Sequence, residues 1–108
     1  MNVASADSRK GWSVSLEDRA TALEIALLKR TYVLPWHQFV YAVGGEDEIR
    51  AMFATHEVTI RGAGLTALLA DLAGQKVTVI QEPSRADRFQ GNVERFIREV
   101  HVQELEVG

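Results

Sequence analysis

The chain has 108 residues, 46% hydrophobic and 25% charged, which is the size and usage of one globular domain. Its 12 Lys and Arg stand against 15 Asp and Glu, a net charge of −3 without a run of either sign, which disfavours nucleic-acid binding through a basic face. The absence of cysteine removes disulfides, thiolate nucleophiles and cysteine–zinc sites. No stretch approaches the roughly 18 apolar residues of a membrane span. The N-terminus lacks the apolar run of a secretory signal, so a cytoplasmic location without membrane association is expected.

In chain order, residues 1–15 (MNVASADSRKGWSVS) have no period and read as a disordered or loosely docked tail. Trp12 is its exception, either packed on the domain or exposed. Residues 16–108 form the single domain. Residues 16–29 support two readings. Ser15 and Asp18 suit a helix start, with Leu16, Ala20, Leu23 and Leu27 on one helical face. Leu23, Ile25 and Leu27 also alternate with Glu24 and Ala26 as in a strand. The expectation is a short capped turn and then a strand over 22–29. Residues 31–34 are β-rich and stop at Pro35, which has no N–H to donate. Phe39, Tyr41 and Val43 alternate with Val40 and Ala42, a further strand.

Gly44-Gly45-Glu46-Asp47 reads as a turn, followed by strands over 48–54 and 57–61. The short link between these makes them antiparallel. Leu65, Leu68, Leu69 and Leu72 have helical spacing in an Ala- and Leu-rich segment, with Gly64 to open the helix and Gly74 to close it in the left-handed conformation. Residues 76–81, KVTVIQ, are apolar on both faces, as a central or helix-covered strand would be. A polar connection over 84–92 follows. Residues 93–107 combine helical spacing with alternation and read as a closing strand over 97–106, preceded or not by a helical turn.

These elements define an α+β domain: a curled antiparallel sheet of about five or six strands with one covering helix over about residues 64–73. Pleckstrin-homology-like and Sm-like barrels have this shape. The analogy is of shape alone, and shape does not give function.

Gly62-Ala63-Gly64-Leu65-Thr66-Ala67 lies between a strand and a helix, and Glu82 ends the next strand. Dinucleotide sites use this layout: glycines let the backbone approach a pyrophosphate, and the helix start offers free N–H groups. The hairpin pairing of the preceding strand, the short remaining chain and Arg61 in an apolar position oppose a full dinucleotide fold. A looser anion site would use Arg61, Gly62, Gly64 and Thr66. Tyr32, Trp36, Phe39 and Tyr41 are half of the chain's eight aromatic residues. With His37 they are candidates for an interaction surface or pocket. The competing reading is core, stronger for Phe39 and Tyr41 than for Trp36.

His37, His56 and His101 lack the spacing of a metal site and read as surface residues. Glu46, Asp47 and Glu48 read as a solvated hairpin tip. Arg85, Arg88, Arg95 and Arg98 are interleaved with acids and read as a solvated surface. No catalytic array, metal or cofactor is expected. The expected function is a non-catalytic binding or protein-interaction module that self-associates through an uncovered strand in the region 32–41. The alternative is a small-molecule or nucleotide anion-binding protein built on the Gly62–Thr66 turn.

Overall fold

Period-two apolar patterns dominate the chain, and strands dominate the fold. The computed structural model describes residues 11–16, 19–84 and 96–106. Among them are the strands β1 (Trp12–Val14), β2 (Ala22–Ala26), β3 (Thr31–Pro35), β4 (Phe39–Gly44), β5 (Glu48–Phe53), β6 (His56–Ala63), β7 (Val77–Gln81) and β8 (Phe96–Glu104). Helix α1 (Thr66–Ala73) follows β6, and a 3-10 turn (Trp36–Gln38) joins β3 to β4. The class is α+β, as the patterns require.

The strands form two four-stranded sheets, ordered β1-β7-β2-β3 and β4-β5-β6-β8, instead of one curled sheet of five or six strands. The division falls at Pro35. Its φ of −66° and the 3-10 turn after it redirect the chain, so β3 ends the first sheet and β4 begins the second. In the first sheet β7 lies between β1 and β2, antiparallel to the former and parallel to the latter. This central place accounts for its apolar residues on both faces. The second sheet is antiparallel throughout.

Alternation then builds the core. Leu23 and Ile25 of β2, Ile49 and Ala51 of β5, and Val58 and Ile60 of β6 have no exposure. Leu65, Leu68 and Leu72 bring the helical stripe into the same cluster. Each fully buried Leu or Ile contributes roughly 1.5–3 kcal/mol relative to exposure.

Several boundaries differ from expectation. Strand β2 stops at Ala26 because the chain turns there, Leu27 N donating to Arg30 O at 2.8 Å. The capped turn proposed around Asp18 lies outside the described residues. Trp12 takes the packed alternative: it is buried, and its Nε1 donates to Asp71 Oδ2 of α1 at 3.1 Å. Gly64 opens the helix with φ +64°, but Gly74 has φ −83° and the left-handed residue is Gln75, φ +54°. The helix ends at Ala73 as expected, but the chain reverses one residue later, at Gln75. Strand β8 spans 96–104; the turn before it and Arg85, Arg88 and Arg95 lie outside the described residues.

Candidate functional site

The segment from β3 through the 3-10 turn into β4 links an edge strand of one sheet to an edge strand of the other. The turn points Trp36 inward, where Nε1 donates to Val77 O at 3.0 Å. Its ring centroid lies 5.1 Å from Phe39 and 5.5 Å from Phe53, and Phe39 lies 5.4 Å from Phe53. This trio fills the corner between the sheets. Trp36, the weaker candidate for the core, is therefore buried.

Tyr41, a stronger core candidate, is exposed. The cause is the register shift between Phe39 and Tyr41: Phe39 pairs with Phe53 and Tyr41 with the adjacent Met52, leaving Val40 as an extra residue. A bulge of this kind reverses the facing of every later side chain on the strand. Phe39 remains with the core, while Tyr41 and Val43 turn out. Val33, Val40, Tyr41 and Val43 are 64, 60, 50 and 57% exposed. Among the described residues these are four of the six exposed large apolar side chains, which concentrates apolar surface in one segment.

Of the five residues singled out from the sequence, Tyr41 and His37 reach solvent and Tyr32 is half-buried. The Tyr32 ring meets His56 edge-on at 5.5 Å. Trp36 and Phe39 belong to the core cluster or pack against it. Sequence reasoning missed Val33, Val40 and Val43. The signal for Val40 and Val43 was available in the uncharged strand sequence FVYAVG, but its facing depends on the bulge; Val33 lies in β3, between Tyr32 and the buried Leu34.

The Gly62–Thr66 turn has a different geometry. Gly62 sits at a register shift where β6 meets β8. Arg61 projects to the solvent face, its Nε donating to Glu48 Oε1 at 3.1 Å and its NH1 lying 3.6 Å from Glu99 Oε2. The hydrogen bond from Arg61 holds the Glu48 carboxyl below the usual glutamate range, and the same bond raises the Arg61 guanidinium. Thr66 Oγ1 donates instead to Glu46 Oε1 at 2.9 Å, and Leu65 N donates to Glu46 O at 3.0 Å. Arg61 and Thr66 are thus engaged by different carboxylates. The chain's own Glu46 supplies negative charge beside the positive end of α1. Strands β6 and β7 lie in different sheets, so they do not frame a parallel βαβ unit. Glu82 accepts a hydrogen bond from Leu28 N at 2.8 Å.

The three histidines occupy separate places. His56 Nδ1 is 2.7 Å from Thr55 Oγ1, His101 is exposed opposite Thr59, and His37 is exposed in the 3-10 turn. Among the described residues no three His, Asp or Glu side chains gather as a metal site would need. No helix among them is long and apolar enough to cross a membrane.

Fold and surface together define a two-sheet α+β domain with an apolar strip along one edge strand. No family model, curated protein or solved structure matches the chain.

Proposed function

We propose that this chain is a non-catalytic protein-interaction module that self-associates through the segment 31–44. The observation that carries the reading is the exposure of Val33, Val40, Tyr41 and Val43 on two edge strands joined by one turn. Exposed apolar side chains favour removal from water, at roughly 25 cal/mol per Å² of apolar area covered. An edge strand also leaves backbone donors and acceptors unpaired by the sheet. A partner at this segment satisfies both demands.

The experiment is a charge substitution on the strip. Val40→Lys and Val43→Lys replace exposed side chains, so each leaves the melting temperature of the isolated domain nearly unchanged. Each lowers the mass observed in solution by light scattering if the strip is the contact. Unchanged association in both variants contradicts the reading.

A further inference from the structure

We infer that residues 11–15 are a detachable strap. They open as a unit while the rest of the domain stays folded, and so uncover a groove on β7 for an extended segment that carries an indole. The docked strap is an autoinhibitory contact, since it fills the groove itself. The inference goes beyond the self-association proposed above and does not depend on it.

Strand β1 is three residues long, ends its sheet, and shifts register between Ser13 and Val14. Backbone bonds to β7 and the residue before it fix the strap near both ends. Gln81 N donates to Gly11 O, and Ser15 N donates to Lys76 O, each at 2.8 Å. Between them Thr78 Oγ1 donates to Ser13 O at 3.2 Å. Trp12 is buried, whereas Ser13 and Val14 are half-buried. One large side chain thus anchors a short strand. Gly11 precedes it with φ +95° and lies against β8, where a methyl group would stand 3.1 Å from Ile97 Cβ.

The remaining sheets do not need the strap for their pairing. Strand β7 stays parallel to β2, β2 stays antiparallel to β3, and the second sheet contains no residue of 11–15. The buried Leu23, Ile25, Ile49, Phe53, Ile60 and Leu72 all follow it in the chain. A peripheral segment with few backbone bonds opens at lower free energy than the whole domain, as a cooperative unit.

Opening leaves two features side by side. Strand β7 loses its antiparallel partner, so its backbone groups can receive another extended chain. Asp71 Oδ2, which accepts from Trp12 Nε1 at 3.1 Å, is left as an acceptor at the place of the indole. Phenylalanine has no N–H to offer this carboxylate, which makes the groove selective for tryptophan.

Hydrogen exchange of the unmodified chain tests the strap. The Ser15 and Gln81 amides and the Trp12 indole N–H are expected to share one protection factor, at least about tenfold below that of the β6 amides. Asp71→Leu is expected to lower all three by the same factor of about ten, and Asp71→Asn, which keeps an accepting oxygen, to restore them. A synthetic peptide of residues 11–16, GWSVSL, tests the groove. At roughly millimolar concentration, enough to compete with a tethered segment, it is expected to remove protection from Ser15 but not from Gln81, whose acceptor the peptide replaces. The same peptide with phenylalanine for tryptophan is expected to leave Ser15 protected. Three N–H groups with unrelated protection, or with that of β6, overturn the strap. Shared protection with Ser15 unmoved by the peptide overturns the groove.

Discussion

A methyl group at position 62 would stand 2.1 Å from the Phe96 carbonyl oxygen and 3.0 Å from Ile97 Cα, both backbone atoms of β8. Neither can give way without moving the strand. Gly62→Ala is therefore expected to cost about 1–3 kcal/mol, the usual range for overpacking. In urea the midpoint falls while the slope stays the same. A variant as stable as the parent would remove close approach as the reason for glycine here. Next to β8, this glycine has a structural duty whatever else its turn does. The aromatic pair Trp36 and Tyr41 gives the same lesson about local backbone. A proline and a 3-10 turn bury the indole, which needs a partner for its N–H and finds Val77 O. One extra residue at position 40 exposes the phenol.

On the outer face of β5, β6 and β8, opposed residues form a ladder of charge: Glu48 against Arg61, and Arg61 against Glu99. Arg61 lowers the Glu48 carboxyl, chiefly through its hydrogen bond, with weaker help from Arg50. The sign follows directly. A carboxyl whose folded pKa lies below its unfolded value contributes stability above the unfolded value, and loses that contribution as pH falls through the folded one. The ladder therefore weakens only in acid, below the ordinary glutamate range. Its effect is small because all three side chains are solvated and screened. In an NMR titration the Glu48 carboxyl is expected to titrate below the ordinary glutamate range, and Arg61→Gln is expected to raise it toward that range. A Glu48 signal that ignores the substitution contradicts the pairing. Such pairs set register between neighbours, and the neutral β4 edge takes no part in the ladder. The contrast between charged and uncharged edges belongs to the strands as units.

For the molecule as a whole, much of the fold was legible in the chain. The helix announced itself by Leu65, Leu68 and Leu72, the hairpins by Gly44-Gly45 and Thr55-His56, and the central strand by KVTVIQ. Those signals are local, and local physics carries them. The division into two sheets was not legible, because alternation says which side chains turn inward but not which sheet receives them. Trp12 hid within a polar tail because a single ring has no period. The proposed surface was half legible: the segment stood out by its aromatics, but the bulge exchanged buried and exposed members. Val33, Val40 and Val43 emerge as surface only when pairing is known. At this scale the central proposal is that the exposed apolar side chains of segment 31–44 bring copies together. Sedimentation over a dilution series tests it most directly. A species of twice the 12.0 kDa chain mass is expected at tens of micromolar, dissociating on dilution. A single 12.0 kDa species across the whole series would contradict it.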